Sequence, residues 1–286
     1  MRMKFGFTRI ELIVALAIVA VLGALTLPAA ARVREGHQLA NCQKNLKDMG
    51  MALRLFAKEH PSGRYPHQQV LDCDGNIMPS SSMFDVASVY PEYLTDLDVL
   101  MCPSNSQPVA ITSIDAGQRD VCKFDQASYV YTAWAISPNA IREQIRTVGD
   151  LHALESSVLT LSNAVRRTRN PEAAIKIAGA DWKLDAPIGG VSTFPRLRDG
   201  IERFVTDETK SINGSGQAGS VIPVMWDAIR DRGDRFNHES GGANVLYLDG
   251  HVAFAQYDGP YGGEFPVNAG GMILHNLTPA SNHHPG

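Results

Sequence analysis

Residues 6–31 read GFTRIELIVALAIVAVLGALTLPAAA, and the fold follows from how this stretch is interpreted. Two cations, Arg2 and Lys4, precede it, and no charge occurs between Leu12 and Ala31. An uncharged run of about 20 apolar residues matches the thickness of a bilayer, so the pattern predicts a membrane-spanning helix over residues 7–31. Glu11 stands at the mouth of that run. A carboxylate at or near lipid is costly, so an acid there implies a function and a partner. An ordinary secretory signal does not fit. The apolar stretch is too long, and the small residue expected at a cleavage site lies before the stretch instead of after it.

Beyond residue 31 the helical pattern continues. No proline occurs from Arg32 to Glu59. Leu39, Cys42, Leu46, Met49, Leu53 and Phe56 recur at spacings of three and four, which places them on one helical stripe. Charged residues such as Arg32, Glu35, Lys44, Lys47 and Asp48 occupy the remaining surface, and His60-Pro61-Ser62-Gly63 supplies a stop. One helix from Phe7 to about Glu59 is predicted, its second half (residues 32–60) laid on a globular head. Gly23 and Pro28 are the places where it would bend or melt.

Gly6-Phe7-Thr8-Arg9-Ile10-Glu11-Leu12 resembles the processing site of type IV prepilins and type II secretion pseudopilins. The resemblance implies a leader of residues 1–6, cleavage after Gly6 and methylation of the new amino terminus at Phe7. It places the family's assembly acid on Glu11, five residues into the mature chain, and a helix-bending proline on Pro28. Arg9 departs from the small or polar residue usual there. In this reading Glu11 of one subunit neutralises the Phe7 amine of the next, a pairing strengthened by low dielectric. The apolar helices then become the core of an open, head-to-tail filament. The partners implied are a prepilin peptidase, other pilin or pseudopilin subunits and an inner-membrane assembly platform. The implied location is a single-pass inner-membrane protein with a periplasmic head, later an extracellular filament.

The rest of the chain sets the fold class. It has 286 residues, 44% of them hydrophobic and 20% charged, which is ordinary for a folded head. The net charge of −4 and the lack of a basic run argue against a nucleic-acid partner. Residues 61–275 are expected to form one α+β head and residues 276–286 a flexible tail. The expected architecture is pilin-like: a long amino-terminal helix, transmembrane in its first half, packed on an antiparallel β-sheet domain with extended loops. Ser128–Trp134 reads as a strand, Leu151–Leu161 and Ile175–Ala180 as further short strands, and Ser211–Ser220 as a glycine-rich surface loop. In FNHESGGANVLYLDGHVAFA, residues 236–255, Asp249-Gly250 separates two apolar runs. That is a hairpin signature, with positive φ expected at both turn positions. The same stretch resembles a carboxyl-terminal His-x-Asp-Gly signature of large prepilin-like families, here carried by His238, Asn244, Asp249, Gly250 and His251.

Candidate sites are few. His238, Asp249, His251 and Asp227 have the donor types for a divalent metal, but the preferred reading is structural: the turn accounts for Asp249, and His238 and Asp227 are expected to hydrogen-bond in a network around the hairpin. Asp72, Asp74 and Asn76 alternate as in a calcium loop, but Gly75 is misplaced for an EF-hand and no downstream Glu completes it. A plain Asp-Gly turn is the preferred explanation, and Ca2+ is the one cofactor that comes into view. Four cysteines permit three pairings. Cys102 with Cys122 is the preferred pair, worth roughly 3 kcal/mol of chain entropy, which leaves Cys42 to tie the helix to Cys73. No Cys-x-x-Cys argues for zinc. No G-x-S-x-G, H-E-x-x-H or P-loop occurs, so no enzyme is expected. The leading expectation is a structural subunit of a type IV pilus or secretion pseudopilus. The alternatives are a membrane-anchored module binding a ligand such as polysaccharide and an anchored metal-dependent enzyme.

Overall fold

The computed structural model describes residues 8–78, 81–104, 121, 128–136, 148–188, 190–203, 219–229, 236–238, 240–259 and 263–275, without the side chains of residues 25, 27–29, 31, 148 and 150. The expected leader with the Gly6-Phe7 cleavage site, Cys122, most of the Ser211–Ser220 loop and the 276–286 tail lie outside the described residues.

The fold is α+β. Helix α1 spans Arg9–Glu59 and ends at His60, whose backbone N–H donates to the carbonyl of Phe56. Its amino-terminal half stands exposed, whereas Cys42, Leu46, Met49, Ala52, Leu53 and Ala57 on its second half are buried. That face packs on a four-stranded antiparallel sheet. The strands are β1 (Tyr129–Tyr131), β4 (Pro223–Asp227), β5 (Gly242–Tyr247) and β6 (Val252–Gln256), in the order β1-β4-β5-β6. The period of two along the strands brings Tyr129, Met225, Asp227, Asn244 and Leu246 to the α1 side. Register confirms the set, with Tyr129 opposite Asp227 and Met225 opposite Leu246. Trp226 points the other way and meets Phe265 edge to face, with ring centroids 5.8 Å apart. Because both faces are covered, β4 is buried throughout instead of alternating. Gly50 lets α1 approach closely, since a Cβ there would sit 3.0 Å from the Leu246 methyls.

A second layer is built from α2 (Val148–Arg167), α3 (Pro171–Ala178) and the two-stranded sheet of β2 (Trp182–Ile188) and β3 (Val191–Phe194). Trp134, Trp182 and Phe194 meet in sequence through a tilted and then an edge-to-face ring contact. A last helix, α4 (Ala269–His275), packs against α2.

Several expectations are corrected. No helix among the described residues is long and apolar enough to cross a membrane, so the pilin-like architecture with a transmembrane first half does not stand. Gly23 and Pro28 do not melt α1, which is helical without interruption. Leu151–Leu161 belongs to α2 and Ile175–Ala178 to α3. For α3 the deciding signal is Asn170-Pro171: the Asn170 side chain caps the N–H groups of Glu172 and Ala173, and proline occupies the first turn. The hairpin loop is also wider than two residues. The Tyr247 N–H donates to the His251 carbonyl, and only Gly250 takes positive φ (93°). Asp249 keeps negative φ because its carboxylate accepts the His251 N–H at 3.0 Å, giving a three-residue loop with glycine in the left-handed position.

Tyr129 and Tyr131 are fully buried, and both phenols are pushed well above the ordinary tyrosine range. Burial is the main cause in each case; the Asp227 carboxylate adds to it for Tyr129, and Arg196 opposes it for Tyr131. Above about pH 10 the unfolded chain loses these protons and the folded chain keeps them. Stability is therefore present below the unfolded pKa and falls as pH rises, by about 1.4 kcal/mol per pH unit for each phenol. Guanidinium midpoints measured from about pH 9 to 11 check this, with Tyr131→Phe reducing the slope by the share of one buried phenol. A flat profile would contradict it.

Candidate functional site

The described residue types that carry chemistry converge where α1 crosses the sheet. Cys42 of α1 is disulfide-bonded to Cys102, with Cα atoms 5.4 Å apart. The expected Cys102–Cys122 pair is thereby corrected, because α1 brings Cys42 to the segment that follows the turn Leu97–Leu100. Cys73 is disulfide-bonded as well.

Beside the Cys42–Cys102 bridge lies a fully buried polar cluster. Oδ2 of Asp227 accepts the backbone N–H and the side-chain Nδ2 of Asn244, each at 2.8 Å. His238 Nε2 is 3.0 Å from the same oxygen and 4.0 Å from Cys102 Sγ. His238 Nδ1 faces Glu35 Oε1 of α1 at 3.5 Å without a hydrogen bond between them. Asp227 Oδ1 is buried without a hydrogen-bond partner. One sulfur of each cysteine, one carboxylate oxygen and one ring nitrogen all lie within 4.8 Å of one another.

The carboxyl-terminal signature acquires a structural role here. His238 meets Glu35, and Asn244 Oδ1 accepts from Gln43 Nε2 at 3.0 Å. The Arg54 guanidinium donates to the Leu248 carbonyl at 2.9 Å. Gly250 takes a positive φ that disfavours any side chain, and a Cβ there would also displace the end of the flexible Arg54 side chain, whose Nη1 would lie 2.9 Å away. Asn45 extends the seam by donating to the Met101 carbonyl and the Tyr129 hydroxyl. Hydrogen bonds from Gln43 and Arg54 thus fasten α1 to the hairpin.

Other candidates are placed apart. Asp249 does not join His238. It pairs with His251 at the exposed turn, Oδ1 to Nδ1 2.6 Å, and the His251 ring stacks on Tyr247. Asp72 is half-buried and its carboxylate is engaged by its own turn, accepting from the N–H groups of Asp74 and Asn76 and from Asn76 Nδ2. The capping explains Asp72 without calcium. Glu11 closes a capping box with Thr8, its Oε2 accepting the Thr8 N–H at 2.8 Å. Sequence reasoning missed the participation of Cys42 and Glu35 with Asp227 and His238. The only local signal was Asn244, an amide inside an apolar strand. Comparison with known protein families, with curated proteins and with solved structures gives no match.

Proposed function

We propose that this chain is a structural subunit, not an enzyme, that assembles through α1 in the manner of type IV pilins and secretion pseudopilins after cleavage between Gly6 and Phe7. One observation carries the reading. Nine large apolar side chains from Ile10 to Leu22 are each more than half exposed, among them Ile13 at 65%, Leu16 at 61% and Val19 at 65%. They point in every direction around the helix instead of forming one stripe, so a single docking partner would leave most of them in water. Burying each is worth about 1.5–3 kcal/mol. A bundle of identical helices covers such a cylinder on all sides. The disulfide supports a head outside the cytoplasm, since such bonds persist in oxidising compartments. A prepilin peptidase, an inner-membrane assembly platform and like subunits are the partners this reading requires.

Intact mass and amino-terminal sequencing of the native protein from sheared envelope fractions test it. A methylated Phe7 terminus in filaments is the expected result. A chain starting at Met1, or after Ala31, refutes it and favours the ligand-binding module. Glu11→Ala is expected to remove filaments from the sheared fraction. A lost pairing at low dielectric costs about 3–5 kcal/mol at each subunit contact, while the head should melt as in the wild type. Normal filament yield from that variant would sink the pairing of Glu11 with the next subunit's amine.

A further inference from the structure

We propose that in the reduced chain Cys42, Cys102, Asp227 and His238 form a buried four-donor site for a Zn2+-class ion, mutually exclusive with the Cys42–Cys102 disulfide. The inference does not depend on filament assembly. Two thiolates, one imidazole and one carboxylate are a donor set that suits tetrahedral zinc. In such a site the donors stand about 3–4 Å apart, and here the four atoms already lie within 4.8 Å of one another. Opening the S–S bond lets the sulfurs separate to that spacing without moving either backbone far.

Independent observations point at an ion. Asp227 Oδ1 is a buried carboxylate oxygen with no hydrogen-bond partner, while Asn244 occupies Oδ2 and fixes the carboxylate plane. His238 Nε2 lies 3.0 Å from Asp227 Oδ2 and 4.0 Å from Cys102 Sγ, and the Glu35 carboxylate stands 3.5 Å from Nδ1 on the other side of the ring. A carboxylate behind the non-ligating nitrogen is the usual outer-shell support of a zinc-bound histidine.

The exchange balances. Zinc binding releases the two thiol protons to solvent. Oxidation removes two electrons from the thiolates to a disulfide-forming acceptor, makes the S–S bond and expels the ion. Either state ties α1 to the head, because Cys42 lies on α1 and the other three donors do not. The ion would hold the helix in place wherever the chain folds before it is oxidised.

The test uses the full chain, unfolded, reduced with a phosphine and refolded anaerobically with Co2+ as the probe. One Co2+ per chain is expected, with thiolate-to-cobalt charge-transfer absorption and tetrahedral visible bands displaced by Zn2+. The bands should persist in Cys73→Ser, disappear in Cys102→Ser, and be absent from the oxidised chain. No bands in the refolded chain, or bands lost in Cys73→Ser and kept in Cys102→Ser, overturn the proposal. If Cys102→Ser fails to fold, the wild type decides. Zn2+ should raise the melting temperature of the reduced chain and a chelator should reverse the gain. An unchanged melting temperature, or a reduced chain that stays unfolded with Zn2+ present, overturns it equally.

Discussion

Asp227→Ala is expected to destabilise the head by about 3–5 kcal/mol, a large share of the about 5–15 kcal/mol that a domain possesses. A single oxygen, Oδ2, accepts two hydrogen bonds from Asn244 and lies 3.0 Å from His238 Nε2, all of it inaccessible to water. Alanine leaves a backbone N–H, a side-chain amide and an imidazole without an acceptor, and each buried orphan costs about 1–3 kcal/mol. Asp227→Asn keeps one carbonyl oxygen and should cost less, about 1–3 kcal/mol. Denaturant midpoints of the oxidised chain measure both. An alanine variant within about 0.5 kcal/mol of the wild type, as for a surface position, would show that the network does not hold the seam.

Arg196→Met is expected to cost a similar amount, about 3–5 kcal/mol. Arg196 is 2% exposed and follows β3 into the space between the two layers. Nη1 donates to the Ala133 carbonyl at 2.7 Å, and Nη2 to the carbonyls of Tyr65 and Pro66 at 2.8 Å each. Its guanidinium also lies over the Trp134 ring, 5.8 Å from the centroid. Methionine fills the volume but removes the Arg196 donor from the Tyr65 carbonyl and one of two donors from the carbonyls of Ala133 and Pro66, which keep the Leu197 N–H and the Tyr131 hydroxyl. Lysine offers a single ammonium where a planar fork reaches three acceptors, so Arg196→Lys should recover only part of the loss. Equal stability of lysine, methionine and wild type would exclude the carbonyl clamp as the source of stability. Calorimetric melting of the three chains separates these outcomes.

The most local features were legible in the sequence. The stripe Cys42, Leu46, Met49 and Leu53 has the helical period, and it is the face α1 buries. Asp249-Gly250 between apolar runs marked the β5–β6 hairpin, although the loop took three residues once the Asp249 side chain captured a backbone N–H. Leu151–Leu161 and Ile175–Ala180 were misread because short apolar runs look alike for strand and helix. In the second case the Asn170-Pro171 capping signal outweighed the β-branched content.

What the sequence by itself determined is periodic or contiguous: the long helix, its stop at His60-Pro61 and the hairpin. Each depends on residues a few positions apart, where backbone geometry alone decides. Only the tertiary structure decided that Cys102 joins Cys42, that His238 leaves Asp249 for Asp227 and Glu35, and that a buried carboxylate oxygen stands beside two sulfurs. Those partners come from α1, from the segment after the Leu97–Leu100 turn, from β4 and from the loop before β5. No spacing rule links segments so far apart. They meet because α1 must bury its stripe on the sheet, and burying that stripe fixes which polar side chains are shut in together.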